Sequence, residues 1–188
     1  EDAKTCMVST LVSIISRGPV LCTQLCLSAL CNLSVHAVFG QQLIQYALKP
    51  TVNTMMTTIV APSIKLDCLN LLHNVVTTNK DARAALIDAE AVPALVTLLK
   101  TMNDDSVVLS IGRIIKEVCI EAPLHLATLL KQDIMSIIFK LSKIEIAPLK
   151  LNIAQALFSL TKPYDEVSTA KLLKWDAIDT IFWLTVHD

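Results

Sequence analysis

Apolar residues recur along this chain with the spacing i, i+3, i+4 and i+7. In the segment EAVPALVTLLK these positions are Val92, Leu95, Val96 and Leu99. One face of an α-helix collects residues with this spacing, so the pattern predicts an amphipathic helix. Five segments show the pattern, the fifth in its first three positions only, and their leading residues are Val8, Val52, Val92, Ile134 and Ile178. The intervals of 44, 40, 42 and 44 residues predict a repeat of about 42 residues.

A second set of apolar helices alternates with the first and carries polar residues in a fixed column. Its members are LCLSALCNLS, CLNLLHNVV, IGRIIKEVC and IAQALFSLT. When their apolar residues are aligned, one column contains Asn32, Asn74, Glu117 and Ser159. The intervals in this column are 42, 43 and 42 residues, so two independent columns share one period.

A shorter helical segment precedes each later copy of the amphipathic helix. These segments are GQQLIQYA, KDARAALIDAE, PLHLATLLK and EVSTAKLLKW. Each repeat therefore has three predicted helices, numbered here as first (short), second (amphipathic) and third (bearing the polar column). The seven prolines fall between predicted helices or in a first helical turn, where proline is tolerated. An all-α fold follows from these patterns.

The period, the three-helix unit and two motifs resemble armadillo repeats. DAEAVPALVTLLK is similar to the second helix of that family, and LSALCNLS is similar to its asparagine-bearing third helix. The resemblance implies a right-handed α-solenoid, an armadillo-type superhelix of three-helix repeats, with HEAT repeats as the alternative. It implies one domain, 1–188, with about four repeats: a partial repeat 1–35, repeats 36–77, 78–120 and 121–162, and a partial repeat 163–188.

The chain departs from the family at the glycine that precedes the second helix. That place is occupied by Cys6, Pro50, Glu90, Gln132 and Asp176. The sharpness of the bend between the first and second helices therefore stays open at this point.

The asparagines of the third helices raise an energetic question. Burying a leucine side chain contributes about 1.5–3 kcal/mol, and an unpaired buried amide costs about 1–3 kcal/mol. We therefore expect Asn32 and Asn74 to point out of the packed layer, where a carboxamide can donate to and accept from a peptide bond. The alternative is that they cap a neighbouring backbone or are only solvated.

The resemblance implies that third helices line a concave groove in which an extended peptide lies. The candidate partner-binding residues are Ser28, Asn32, Asn70, Asn74, Arg113, Glu117, Gln155 and Ser159. In importin-α the position one turn before the asparagine is often tryptophan, which this column lacks, so binding of nuclear-localisation signals is not expected. Arg113 and Glu117 are expected to pair across one helical turn. We therefore expect a near-neutral groove that recognises peptide backbone with weak charge selectivity.

Charge and cysteine content narrow the functional classes. The net charge of −1 provides no field that would attract nucleic acid, so no nucleic-acid partner is expected. The six cysteines form no CxxC pair and are expected to be small buried hydrophobes. They favour a reducing compartment, the cytoplasm or alternatively the nucleus. No GxGxxG, Walker or HExxH motif and no Ser/His/Asp set occurs, so no cofactor, metal site or catalytic residue is expected.

The N-terminal third of the chain is poor in charge. Between Ala3 and Leu66 there is no Asp or Glu, and the basic residues are Lys4, Arg17, Lys49 and Lys65. We expect preceding repeats, a partner or a second copy to cover part of this surface, unless it is a solvated Thr/Ser/Gln-rich face. The uncharged run 18–48 is long enough to span a bilayer. Its stripe of polar residues favours a buried helix of a soluble protein instead of a transmembrane segment.

Two kinds of function remain after these exclusions. The first is a non-enzymatic scaffold that binds an extended protein or peptide segment in its groove. The second is a structural or docking module of a larger cytoskeletal or transport assembly, acting through the uncharged N-terminal surface, with self-association included. A GTPase-regulating helical array is a third hypothesis that nothing in the residues singles out. Because the sequence begins at Glu1, we expect a fragment or a processed chain.

Overall fold

The structure is a computed structural model that describes residues 3–57, 61–102 and 104–162 and five later positions, 170, 173, 180, 181 and 184. Every regular element in the described part of the chain is helical. The elements are α1 (Ala3–Arg17), α2 (Val20–Ser34), a 3₁₀ turn (Ala37–Phe39), α3 (Gly40–Gln42), a π-helical turn (Leu43–Ala47), α4 (Leu48–Met56), α5 (Pro62–Thr78), α6 (Asp81–Asp88), α7 (Ala91–Thr101), α8 (Asp105–Cys119), α9 (Ala122–Lys131), α10 (Ile134–Ser142) and α11 (Ala147–Thr161).

The order of these elements follows the predicted three-helix repeat. The predicted second helices are α1, α4, α7 and α10, and the predicted third helices are α2, α5, α8 and α11. The leading apolar residues Val8, Val52, Val92 and Ile134 are all buried, as expected for the inner face of an amphipathic helix. Most of the predicted partial repeat 163–188, including Asp176 and Ile178, lies outside the described residues.

Contacts divide the chain into two compact units, 1–94 and 95–188, and α7 spans the boundary. In the first unit, α2 packs against α1 and α5, and α4 also packs against α5. In the second unit, α11 packs against α8, α9 and α10. The two units thus repeat one arrangement, in which two third helices lie side by side. The predicted single domain and the predicted repeat boundaries stay predictions.

Capping and close packing position the third helices. Asp104 caps α8, because its Oδ1 accepts from the backbone N–H groups of Ser106 (2.9 Å) and Val107 (3.3 Å). In the second unit, a Cβ at Gly112 of α8 would collide with Cδ1 of Leu149 of α11. Glycine therefore leaves room for the Leu149 side chain against the backbone of α8.

The bend before the second helix differs from repeat to repeat. Glu90 has φ 59° and Asp133 has φ 64°, so both adopt the left-handed conformation that favours glycine. Proline fixes φ near −65° and cannot adopt that conformation, and at Pro50 the chain instead runs through the π-helical turn into α4. The glycine place is thus left-handed at Glu90 itself, whereas Gln132 has φ −83° and the left-handed residue is Asp133, one position later. At Pro50 the path is a continuous helix.

No single helix among the described residues is both long and apolar enough to cross a membrane. The segments Val20–Ser34 and Ala37–Met56 reach the required length and composition only as a pair, and that pair is bent by 114°.

Candidate functional site

The third helices of the first unit expose side-chain amides. Ser28, Asn32 and Asn70 are exposed, and Asn74 is half-buried, so none of the four lies beneath the leucines of the core. The amides of Asn32, Asn70 and Asn74 form no hydrogen bond with the part of the chain that the structure describes. They therefore keep both donor and acceptor capacity available to another molecule.

Polar contacts join α2 to α5 beside this surface. The Cys31 thiol donates to the backbone carbonyl of Asp67 (3.5 Å), and the Thr78 hydroxyl lies 3.0 Å from the backbone carbonyl of Ser34 and 2.8 Å from that of Asn74 in its own helix. Burial raises the pKa of Cys31 to about 11, with a smaller contribution from Asp67, and it also raises the pKa of the Asp67 carboxyl. Cys31 is consequently a protonated structural thiol at neutral pH.

The corresponding surface of the second unit differs in charge. Arg113 and Gln155 are exposed, whereas Glu117 is 6% exposed and Ser159 is 8% exposed. The Glu117 carboxylate lies 3.0 Å from Nζ of Lys116, and Arg113 makes no ion pair with a described residue. The expected pair across one turn is thus replaced by a pair between sequence neighbours. Since the carboxylate is buried and neutralised, the exposed charge of α8 around this position is positive.

An aromatic side chain also lies on the surface of the second unit. Phe158 of α11 is 65% exposed, and Nζ of Lys162 lies 5.0 Å from the centre of its ring, within the range of a cation–π interaction. Leu151, two turns earlier on the same helix, is exposed as well. The visible face of α11 therefore combines apolar side chains with a cation and the amide of Gln155.

The eight candidate residues thus fall into two groups. Six present their side chains at least in part to solvent: Ser28, Asn32, Asn70, Asn74, Arg113 and Gln155. Glu117 and Ser159 are buried and present little surface to a ligand. Four exposed apolar side chains near them were not predicted from the sequence: Leu21, Leu25, Leu151 and Phe158. Helical spacing could have found these four, since Leu21 lies two turns before Ser28 and Phe158 lies one turn after Gln155.

A cavity of about 540 Å³ lies in the first unit at the ends of α1, α2, α4 and α5. Its lining contains no charged residue, histidine or cysteine. The hydroxyls of Ser16, Thr54 and Thr57 in its wall donate to backbone carbonyls of their own helices. This wall therefore offers neither a base nor an activated nucleophile. No group of three metal-ligating side chains occurs among the residues whose positions are described.

No protein-family model matches the chain, and no curated protein sequence matches it significantly. Solved structures do match it. A designed armadillo repeat protein in complex with the peptide (KR)4 is 19% identical, with a TM-score of 0.80 over 96% of this chain and 74% of that one. A computationally designed armadillo repeat protein for modular peptide recognition is 18% identical, with a TM-score of 0.81 over 93% and 73%. An engineered protein from a structural genomics consortium gives 19% identity, a TM-score of 0.78 and coverage of 96% and 74%.

These likenesses extend over almost the whole chain, although fewer than one residue in five is identical. They agree with the all-helical architecture described above. The prediction from the sequence is confirmed: the chain has an armadillo-like repeat fold, in the class of all-α solenoids.

Proposed function

We propose that this protein is a non-enzymatic scaffold whose third helices bind an extended segment of a partner protein. The observation that carries the proposal is a set of side-chain amides that are exposed to solvent on these helices and form no hydrogen bond with described residues. Asn32 and Asn70 in the first unit and Gln155 in the second are exposed and form no hydrogen bond with described residues. A carboxamide matches the donor and acceptor of a peptide bond, so such residues can hold an extended main chain without reading its side chains.

Proteins of the same fold support this function. One of the designed armadillo repeat proteins is in complex with the peptide (KR)4, and another is described as designed for modular peptide recognition. Repeat folds of this kind offer extended surfaces more readily than deep pockets. Peptide binding needs only such a surface and suitably placed polar groups.

We propose that the charge and polarity of the partner segment change along its length. The exposed face of the first unit bears Asn32 and Asn70, has no charge on α2, and carries the half-buried carboxyl of Asp67 one turn before Asn70 on α5, so it favours a stretch without acidic residues. The second unit presents Arg113, Lys162 and Phe158, which favour acidic residues together with aliphatic or aromatic side chains. A basic peptide such as (KR)4 is expected to bind weakly here.

The experiment begins with a displayed library of random 12-residue peptides selected against the intact chain. A selected peptide, labelled with fluorescein, is then titrated with the Asn32→Ala/Asn74→Ala double variant. Each lost neutral hydrogen bond costs about 0.5–1.5 kcal/mol, so the Kd should rise about fivefold to a hundredfold. Circular dichroism should show an unchanged helix signal, because both side chains lie outside the core.

Asn53→Ala provides the matched control. Asn53 is an exposed asparagine on α4, a second helix, and its loss should leave the Kd unchanged. Equal affinity of the wild type and the double variant, or an equal loss in Asn53→Ala, would contradict peptide recognition by the third helices.

The location of the protein is part of the same proposal. All six cysteines are free, and Cys6 and Cys22 are exposed, contrary to the expectation that all six are buried. Exposed free thiols persist where thiols are kept reduced, which supports a cytoplasmic protein.

A further inference from the structure

The cavity of about 540 Å³ in the first unit has the size of a small-molecule site. α1 packs against α2 and α4, and α5 packs against the same two helices. The cavity therefore lies between the predicted repeats 1–35 and 36–77, at the meeting point of all four helices. Its wall combines exposed residues with buried ones: Ser16, Val20 and Asn53 in the first group, and Ile15, Thr23 and Ile64 in the second. It thus opens to solvent and also reaches the core.

Thr23 brings an unpaired hydroxyl to this wall. The residue lines the cavity and is 6% exposed, so the small exposed part of its side chain opens into the cavity. The hydroxyls of Ser16 and Thr54 donate to backbone carbonyls one turn earlier, whereas the Thr23 hydroxyl forms no hydrogen bond with a described residue. An unpaired polar group at such depth costs free energy. A polar group of a ligand in the cavity would remove that cost.

The same wall contains the first turn of α2. Val20 is the first residue of this helix, and Pro19 before it supplies no side-chain cap. The N–H groups at the start of a helix have no acceptor within the helix, and they give that end a partial positive charge. An anionic group is therefore favoured beside Val20 and Thr23.

The surrounding sequence strengthens the preference for an anion. The residues that line the cavity include no acidic side chain, and the sequence has no Asp or Glu between Ala3 and Leu66. Two basic residues, Arg17 and Lys65, are sequence neighbours of lining residues. The nearest following carboxyl, Asp67, lies one turn beyond Ile64 and is not part of the lining.

Apolar side chains make up the other part of the wall. They are Ile15, Val20, Pro50 and Ile64. An inorganic anion would leave most of this volume and these side chains without a contact. A ligand that uses the whole cavity needs one anionic group and an apolar body.

We propose that this cavity binds a small organic carboxylate with an aliphatic body. The carboxylate accepts from the Thr23 hydroxyl and lies at the first turn of α2, while the body packs against Ile15, Pro50 and Ile64. The wall has no base or activated nucleophile, so the site binds its ligand without chemical change. This inference does not depend on peptide binding.

Titration of the intact chain with hexanoate, followed by ligand-observed NMR and calorimetry, tests the proposal. We expect saturable binding of one hexanoate per chain, at least about fivefold tighter than binding of the uncharged isostere hexanamide. In methyl spectra of isoleucine-labelled protein, the signals of Ile15 and Ile64 should shift. The signal of Ile134, on α10 of the second unit, should not.

Thr23→Val removes the hydroxyl and keeps the shape of the side chain. It should raise the Kd for hexanoate at least about tenfold, because a hydrogen bond to a charged group is lost. Thr77→Val is the matched control, since Thr77 is exposed on α5 outside the cavity and its hydroxyl donates to the carbonyl of His73. Its Kd should equal that of the wild type.

A second pair of variants changes the charge at an exposed lining position. Val20 is 63% exposed at the start of α2, where an acidic residue favours the helix. Val20→Asp should raise the Kd for hexanoate about fivefold at low salt through like-charge repulsion, and Val20→Asn should change it less. Because this position is exposed, the comparison stands even where Thr23→Val lowers the melting temperature.

Three results overturn the proposal. The first is the absence of saturable hexanoate binding up to about 10 mM, or binding that leaves the Ile15 and Ile64 signals unchanged. The second is equal affinity for hexanoate and hexanamide, which would exclude recognition of a carboxylate. The third is an unchanged Kd in both Thr23→Val and Val20→Asp, or an equal loss in Thr77→Val.

Discussion

The two units of this protein share one packing scheme and differ in the surface that their third helices show. In the first unit, α2 and α5 expose Ser28, Asn32 and Asn70, which are uncharged. In the second unit, α8 and α11 expose Arg113 and Phe158. A repeat must keep its apolar columns to bury its neighbours' faces, whereas its visible positions are free to vary. Selectivity can therefore change along such a chain without a change in the fold.

The first prediction tests whether equivalent core residues contribute equally to the stability of the two units. Leu72 of α5 and Ile115 of α8 occupy the same column, and both are fully buried. Leu72→Ala and Ile115→Ala should each lower the free energy of unfolding by about 2–5 kcal/mol, because apolar burial is lost and a cavity is left behind. Urea denaturation followed by circular dichroism measures the loss. Leu124→Ala, at an exposed position, should change it by less than about 0.5 kcal/mol. A loss near zero at either core position would show that the shared packing scheme is wrong.

The second prediction tests whether the exposed surfaces of the third helices differ in charge selectivity between the two units. We expect an acidic peptide, (ED)4, to bind better than (KR)4 because Arg113 is exposed without an ion-pair partner among described residues. An exposed ion pair contributes about 0.2–1 kcal/mol, so loss of that pair in Arg113→Glu should weaken (ED)4 binding by up to about fivefold. Fluorescence anisotropy at low and high salt measures this change, and salt should diminish it.

Arg17→Glu is the control for the charge reversal. It makes the same change in net charge at an exposed arginine at the end of α1 in the first unit. The preference between the two peptides should stay as in the wild type. If Arg17→Glu shifted the preference as much as Arg113→Glu, net charge and not the second unit's surface would govern selectivity.

The buried apolar columns could be predicted from the sequence because buried positions must be apolar and therefore recur with the period of the repeat. Val8, Val52, Val92 and Ile134 repeat at nearly constant intervals, since each must fill the same place in its repeat. The same reasoning placed Asn32 outside the core, because an unpaired amide would cancel the burial of about one leucine. The net charge of −1 argued only against a nucleic-acid partner, because nucleic acids are anionic and their binding proteins usually carry a basic surface.

The solvent-exposed surface was harder to predict. The exposure and charge of a residue there depend on neighbouring side chains, which the spacing of the apolar columns does not specify. Glu117 occupies the asparagine column but is buried beside Lys116, which changes a neutral surface into a positive one. Phe158 is apolar and would be expected in the core, yet its side chain is exposed on α11 and Nζ of Lys162 lies over its ring. The path at Pro50 required knowledge of the backbone, because loss of the family's glycine is compatible with either strain or a continuous helix.

The smallest predicted effect concerns the two strained bends, one near the end of each predicted first helix. A left-handed conformation costs a residue with a side chain about 1–2 kcal/mol, while glycine loses about 0.5–1 kcal/mol more chain entropy on folding. Glu90→Gly in the first unit and Asp133→Gly in the second should therefore each raise the unfolding free energy by about 0.5 kcal/mol. Glu90→Ala should not raise it, because alanine keeps the strain. Thermal and urea unfolding of the three variants measure the difference. A loss of stability in either glycine variant would mean that the native side chain makes a contact at the bend that outweighs the backbone strain.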